Sequence, residues 1–292
     1  MDTAKAIFYS LRPKHWVKNL FIFLPLVFGQ KLFMDYLLVK TAAAFLLFSL
    51  AAGVVYLMND IFDYSKDKYH SIKRLKPIAS GKVTIRVAVM TAVIIGGVCV
   101  CLSFIFNSRL GGIVLLYILF NLIYSKYLKE KVIIDVFCIG FFFWLRLAAG
   151  SVVSEVYLSH WIVIMTVLLA LFLGFNKRRQ ELRLLGKNAP AHRAVLAQYN
   201  RYFIDQMIAV ITSSIVVTYL LYAVDVRTFH EVGSYGLIYS VPFVYYGIFR
   251  YLYLMHRHCN EGDPTRILLK DRLLQVNLVL WILSCIIVIY SG

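Results

Sequence analysis

Four oxygen-bearing residues stand close together in the stretch VVYLMNDIFDYSKDKYHSIKRLKP, residues 54–77: Asn59, Asp60, Asp63 and Asp67. On a continuous helix turning about 100° per residue, Asp63 lies about 300° and Asp67 about 700° around from Asp60, so the three carboxylates share one face. Their mutual repulsion costs roughly a few tenths of a kcal/mol per like-charge pair on an isolated helix. A divalent cation would remove it. Mg2+ is the ion expected, because it accepts a few carboxylates, retains waters and bridges to substrate phosphates. Asn59, one turn before Asp63, adds a neutral oxygen. The alternative is an acidic helix end neutralised by Lys66, Lys68, Lys73 and Arg74 as a solvated interfacial face. A second polar constellation on the same side of the chain favours the metal-phosphate reading.

The elements that must carry these residues are apolar. Of 292 residues, 61% are hydrophobic and only 16% charged, which excludes an ordinary soluble domain. Runs near residues 16–34, 40–59, 84–106, 110–125, 132–153, 157–176, 203–225, 234–255 and 273–290 have the length that crosses a hydrocarbon core of about 30 Å. The expectation is an all-α, polytopic membrane protein of about nine transmembrane helices in a single domain, residues 1–292. Lys18 and Pro25 in the first run, and the shortness of the fourth, make these two the least regular. The opening MDTAKAIFYSLRPKHW lacks a long apolar core with a small-residue cleavage site, and is read as an interfacial segment of the mature chain.

Most of the 31 Lys and Arg fall in the N-terminal segment and after the second, fourth, sixth and eighth runs. The intervening connections hold only Lys31, Lys40, Arg109 and Arg227. By the positive-inside rule the basic side, with the N-terminus, is cytoplasmic. The formal net charge of +16 also suits anionic headgroups or phosphorylated substrates. Nucleic acid is not a partner on this reading, since the basic residues are dispersed among short loops with no recognition module. Cys99, Cys101, Cys138, Cys259 and Cys285 form no CxxC pair and are read as reduced thiols. HRHC at 256–259 matches no zinc spacing.

Arg146 sits inside an apolar run, where a charge costs at least about 2.5 kcal/mol on insertion scales, so it should face a cavity or a partner. Asp135, on the same run but about three turns away, is one companion available. Trp16 and Tyr124 are either interfacial belt residues or contacts to lipid or ribose.

NDIFDYSKD resembles the first aspartate-rich motif of the UbiA superfamily of intramembrane prenyltransferases. RPKHWVKN (12–19), YSKYLKEKVIIDV (124–136), WLRLAAG (144–150), NKRRQEL (176–182) and DPTRILLKDRLL (263–274) together resemble its decaprenyl-phosphate phosphoribosyltransferase branch. The resemblance implies nine helices around a central cavity and Mg2+ holding a pyrophosphate on Asn59, Asp60, Asp63 and Asp67. Where aromatic prenyltransferases of the superfamily carry a second aspartate-rich motif, this chain has Lys177, Arg178, Arg179, Glu181 and Arg183. Replacing acids by Lys and Arg turns a metal-binding loop into one that binds phosphate directly. For Arg179, Arg183, Lys187 and Arg201 a purely topogenic role is equally open. The chain departs from the branch at Lys76, where an arginine is common before the proline, at Glu261 and Gly262, where a glycine pair is, and at Arg179 and Gln180, where tyrosine-alanine is.

The reaction implied is transfer of phosphoribose from 5-phosphoribosyl 1-diphosphate to a long polyprenyl phosphate, with release of pyrophosphate, supplying arabinan-type envelope precursors. Asp60, Asp63, Lys14 and Arg146 are the implied catalytic residues. Lys18, Asn19, Lys73, Arg74, Lys76, Tyr124, Lys129, Lys177, Arg178 and Glu181 are the implied substrate contacts. Two other classes stay open: a prenyltransferase moving an isoprenoid chain to an aromatic or other acceptor, and a lipid transporter or flippase, which should show paired broken helices or inverted halves. Assembly with further copies of the chain is also open.

The location expected is the bacterial cytoplasmic membrane, with the candidate segments on the cytoplasmic side. Cysteines introduced near Ser71 and Asn188 should then resist an impermeant thiol reagent in intact cells and react in inverted vesicles. Labelling of both from outside intact cells would overturn this topology.

Overall fold

The computed structural model describes residues 3–69, 73–186, 194–257 and 270–291. Residues 258–269, with Cys259, Glu261, Gly262 and the start of DPTRILLKDRLL, lie outside that description, as do Ser71, Lys187, Asn188 and the side chains of Lys66 and Lys73. The described residues form helices and no strand: α1 Thr3–Ser10, a 3-10 helix Pro13–Phe23, α2 Leu24–Phe28, α3 Asp35–Phe62, α4 Tyr64–Asp67, α5 Ile85–Phe106, α6 Ser108–Lys126, α7 Ile134–Ser154, α8 His160–Leu185, α9 Arg201–Val224, α10 Val226–Val232, α11 Val241–Arg257 and α12 Arg272–Ser291. Several starts are written in the local sequence. Asn107 Oδ1 accepts the Arg109 and Leu110 N–H groups at 2.9 and 3.1 Å, Asn200 Oδ1 that of Tyr202 at 2.9 Å, and Asp271 Oδ1 that of Leu274 at 2.8 Å. Each satisfies backbone donors that a helix N-terminus leaves open.

Seven of these helices, α3, α5, α6, α7, α8, α9 and α12, are long and apolar enough to cross a membrane. The all-helical, many-span architecture is as expected; the count of nine is not reached among the described residues. The first run divides into the 3-10 helix and the five-residue α2 because a proline interrupts it. Pro25 has no N–H, and in a continuous α-helix its ring would meet the Phe21 carbonyl. Leu24 takes that carbonyl instead. The eighth run starts with a 3-10 turn, Gly236–Ser240, and becomes α-helical only at Val241, leaving 17 residues.

The chain packs as two compact units, Met1–Lys129 with Leu145–Leu158, and Glu130–Trp144 with Ser159–Gly292. Helix α7 therefore gives its first half to the second unit and its remainder to the first. In the first unit α3 is the most enclosed helix, burying Ala44, Phe48, Ala51, Ala52, Val54 and Leu57, and it packs on α5, α6 and the 3-10 helix. In the second, α8 and α9 pack together, with Phe172 and Phe175 among Ile204, Ile208, Ile211 and Ile215. Met90, Val93, Ile94 and Ile105 of α5 and Val276, Val279 and Ile287 of α12 stay exposed. Such surface suits hydrocarbon, which gives apolar groups no reason to turn inward.

One close approach fixes the first unit. A Cβ on Gly150 of α7 would lie 2.0 Å from the Ile22 carbonyl oxygen, with the Ile22 carbonyl carbon and Cα also within 3.1 Å. Backbone cannot swing aside as a side chain can. Gly150→Ala should lower the thermal unfolding temperature in detergent, at a cost of about 1–3 kcal/mol for overpacking. Gly97→Ala, on α5 with nothing within 4 Å of the added carbon, should be neutral or gain up to about 1 kcal/mol in helix propensity.

Candidate active site

Helix α3 delivers the aspartates, but it does not continue through them. It ends at Phe62 with Asp63 as its C-cap at φ −89°, and the chain re-enters a helix at Tyr64. The assumption of one unbroken helical face therefore fails at Asp63. Asp60 and Asp67 nevertheless converge, because Lys76 Nζ donates to Asp60 Oδ1 at 2.8 Å and to Asp67 Oδ2 at 2.6 Å. Arg12 Nη2 donates to the same Asp60 oxygen at 2.6 Å. Asp63 turns to a different cation, Lys129 Nζ, at 2.8 Å.

Burial makes these pairs matter. Asp60 and Asp67 are 4% and 3% exposed, and an unpaired carboxylate so enclosed would be driven to its neutral form. Among the described residues the three carboxylates meet three cations, Arg12, Lys76 and Lys129, so these paired groups balance one another. Of the counter-ions expected in the solvated-face reading, Lys68 and Arg74 are exposed and the side chains of Lys66 and Lys73 lie outside the description, while Arg12 was not among the candidate site residues. Its signal was present as the first residue of RPKHWVKN. Asn59 Oδ1 accepts from the Ser125 hydroxyl of α6, another partner that sequence did not indicate.

Among the described residues no three His, Cys, Asp or Glu side chains form a ready-made metal cage. The donors are nonetheless of the right kind for Mg2+, which prefers hard oxygen ligands and keeps part of its water shell. Each ion pair engages one oxygen of its carboxylate, Asp60 Oδ1, Asp63 Oδ1 and Asp67 Oδ2, and leaves the other outside the pair. A cavity of about 600 Å³ opens beside Tyr64, against Ile78, Val83 and the start of α5, with Arg86 as its one charged lining residue.

The intramembrane arginine is also in the first unit. Arg146 is 4% exposed; its Nε donates to Asn19 Oδ1 at 2.7 Å and its Nη2 to the Tyr117 hydroxyl at 3.1 Å. Its guanidinium lies over Phe48 and Tyr117, 5.3 and 5.1 Å from the ring centroids, a stabilising arrangement for a desolvated cation. Asn19 is oriented in turn by Ser49, at 2.9 Å. Asp135 is not the companion of Arg146. Lys14 is exposed, Lys18 and Tyr124 half-buried.

Asp135 belongs to the basic end of α8 in the second unit. Fully buried, it accepts from Arg178 Nε and from the Tyr199 hydroxyl, both at 2.7 Å. Tyr199 also accepts the N–H of Ile133 at 2.8 Å, and burial together with the Asp135 contact pushes its phenol upward, holding it as a donor. Arg178, 1% exposed, extends Nη1 to Glu181 at 2.6 Å. Arg179 pairs with Asp205 and lies 3.0 Å from His256 Nε2. Gln180, beside them and buried, has no hydrogen-bond partner for its amide among the described residues. Lys177 is half-buried. Cys99, Cys101, Cys138 and Cys285 are free thiols.

Fold and site together define a class: a multi-span helical membrane protein whose buried charges gather at helix ends around carboxylates and arginines. The chain belongs to the UbiA prenyltransferase family, whose model matches residues 20–289, as the motifs implied. It is 30% identical over 277 residues to the decaprenyl-phosphate phosphoribosyltransferase of Mycobacterium tuberculosis, spanning 94% of this chain and 90% of that protein. To the protein of the same description in Corynebacterium glutamicum it is 29% identical over 294 residues, spanning 99% and 88%. The fold is similar to that of a UbiA homolog from Archaeoglobus fulgidus solved with GPP and Mg2+, with a TM-score of 0.73 at 16% identity over 97% of this chain and 99% of that one.

The Asp135–Arg178 pair generates a stability prediction. Arg178→Ala leaves a fully buried carboxylate without its cation, a change that costs about 3–5 kcal/mol. A large drop in detergent unfolding temperature is expected, with partial recovery in Arg178→Ala/Asp135→Asn. An unchanged unfolding temperature in the single variant would show that the pair contributes no stability.

Proposed function

We propose that the chain transfers 5-phosphoribose from 5-phosphoribosyl 1-diphosphate to the phosphate of a polyprenyl phosphate, releasing pyrophosphate, at the cytoplasmic side of a bacterial inner membrane. The observation that carries this reading is likeness over nearly the whole chain to relatives described as decaprenyl-phosphate phosphoribosyltransferases, including the 30% identity to that of M. tuberculosis. The basic end of α8, with Lys177, Arg178 and Arg179 where prenyl-diphosphate users of the superfamily carry acids, supports it.

In this mechanism the bond from ribose C1 to the diphosphate oxygen breaks, its electron pair leaving with pyrophosphate, and an acceptor phosphate oxygen bonds to C1. That oxygen is already anionic, so no strong general base is required. Catalysis then rests on aligning two anions and stabilising leaving-group charge. Asn59, Asp60, Asp63 and Asp67 would hold Mg2+, which when bound offsets charge on the leaving diphosphate. Lys76 and Lys129, already within hydrogen-bond distance of these carboxylates, would turn to the same diphosphate, and Lys73 and Arg74 are the further contacts that the motif resemblance implies. Lys14, Lys18 and Arg146 would meet the acceptor phosphate, Asn19 keeping Arg146 in position. Tyr124 would contact ribose, and in the second unit Lys177, with the helix end that Arg178 and Glu181 hold, would bind phosphate. The acceptor's tail can stay in lipid while its headgroup moves, which avoids a transfer cost of about 0.8 kcal/mol per methylene.

A second reading, transfer of a prenyl chain, is favoured by one observation: the A. fulgidus homolog of the same fold was solved with GPP and Mg2+. Purified protein should be incubated with Mg2+, phosphoribosyl diphosphate and polyprenyl phosphates of several lengths, and the lipid product weighed. The expected gain is one phosphoribosyl group. Label moving instead from a prenyl diphosphate, with phosphoribosyl diphosphate untouched, would replace the proposal by the second reading. Asp60→Asn and Asp63→Asn should each lower turnover by at least about 100-fold, the scale for losing a key electrostatic stabiliser, in protein that still inserts. Near-normal turnover in both would remove the metal assignment.

A further inference from the structure

Arg12 combines a left-handed backbone with a side chain seated on a buried carboxylate. Its backbone is left-handed, at φ 50° and ψ 62°, a conformation costing roughly 1–2 kcal/mol for a residue with a side chain, and the following Pro13 further restricts it. Its guanidinium sits on Asp60 Oδ1 at 2.6 Å and over the Tyr56 ring, 5.1 Å from the centroid. Strain of this kind persists only where the surroundings hold it. Here the holders are a carboxylate and a ring on the last two turns of α3.

The consequence is competition. Asp60 Oδ1 is a single oxygen already accepting from Arg12 and Lys76, and a metal ion bound at Asp60 must contend with both. Arg12, Lys76 and Lys129 balance Asp60, Asp67 and Asp63. A divalent cation entering alone would leave an excess of about +2 in a poorly solvated site, where like charges repel strongly. A diphosphate arriving with it brings roughly −3, taking each phosphate as about −1.5. The balance is then nearly restored, and the guanidinium released from Asp60 has a diphosphate oxygen to engage in its place, bidentately if geometry allows.

We propose that Arg12 is a positioning residue that ties metal binding to diphosphate binding: by occupying Asp60 it keeps Mg2+ weak at the site until a diphosphate takes over its guanidinium. The inference rests on the reading that Asp60, Asp63 and Asp67 accept a metal with a diphosphate. It does not depend on which group that diphosphate carries.

The test uses the full chain in detergent, with Mg2+ and inorganic pyrophosphate as probes and calorimetry as the readout. In the unaltered protein Mg2+ alone should bind weakly, and pyrophosphate should tighten it by at least about tenfold. Arg12→Gln, which keeps hydrogen bonding and removes the charge, should bind Mg2+ alone about tenfold more tightly while losing most of the enhancement by pyrophosphate. Arg12→Lys should keep the enhancement, because it keeps the cation. Arg12→Gly removes the charge and the backbone strain together and should bind Mg2+ as Arg12→Gln does, and agreement between the two separates the charge effect from the strain of this turn. Mg2+ affinity that is unchanged or weaker in both Arg12→Gln and Arg12→Gly would overturn the role of Arg12. Absence of Mg2+ binding by the unaltered protein even with pyrophosphate would overturn the metal-diphosphate reading itself, and with it this inference.

Discussion

A carboxylate at the end of a membrane helix persists as an anion only if positive charge is brought to it, and that requirement organises the first unit. Asp60 and Asp67 are enclosed almost completely, and the enclosing segments supply the charge: Arg12 from the turn before the 3-10 helix, Lys76 from the connection between α4 and α5, and Lys129 from the turn after α6 for Asp63. Three distant parts of the chain are thus held to one helix end. Because Asp60 and Asp67 are buried, removing one of their cations is costly, while the described set of pairs is balanced. A balanced set of this kind can exchange partners, cation for metal and carboxylate for phosphate, without leaving a buried charge uncompensated.

The second unit applies the same constraint differently. Asp135 is fully buried, and its two oxygens go to Arg178 and to the Tyr199 hydroxyl, while Glu181 takes another edge of the guanidinium. Here the partners lie within two packed helices and the turn before α9. In the first unit, by contrast, each ion pair engages a single oxygen of its carboxylate. Arg178 is thereby drawn into structure more than the basic motif alone implies, while Lys177, one residue earlier, is half-buried.

The sequence made the architecture legible where physics is local. Apolar runs of membrane length became helices α3, α5, α6, α7, α8, α9 and α12, and Asn107, Asn200 and Asp271 cap helices as their types predict. The first run has the apolar length of a span, yet Pro25 forbids one continuous helix and the run is divided. At the site, the carboxylates were legible from their spacing, and Arg146 from the cost of a charge in an apolar run. Their partners were not. Arg12, Ser125, Asn19 and Tyr117 reach the site through tertiary packing, with separations of 48 residues for Arg12–Asp60 and 127 for Asn19–Arg146, and nothing periodic in the sequence reports such distances. Asp135 was only one available companion for Arg146, about three turns away on the same run, and the fold gives it to α8.

Two of the four non-glycine residues with positive φ among the described residues stand beside the charged clusters, the other two being Gln30 and Glu155. Arg12 and Ile133 each have a positive φ, 50° and 69°, and neither has the glycine that would make it easy; for a β-branched residue such as Ile133 the conformation is unusual. Each stands where the chain turns into a helix that bears a candidate site, Arg12 before Pro13–Phe23 and Ile133 before α7. Each is also held by a polar group of that site, Arg12 through its guanidinium on Asp60 and Ile133 through its N–H on Tyr199. These polar contacts therefore do more than neutralise charge: an ion pair holds the turn at Arg12 and a hydrogen bond the turn at Ile133, both of which isolated chain would avoid. Those turns set where Asn19 and Asp135 enter their helices, and so the positions from which Arg146 and Arg178 are held.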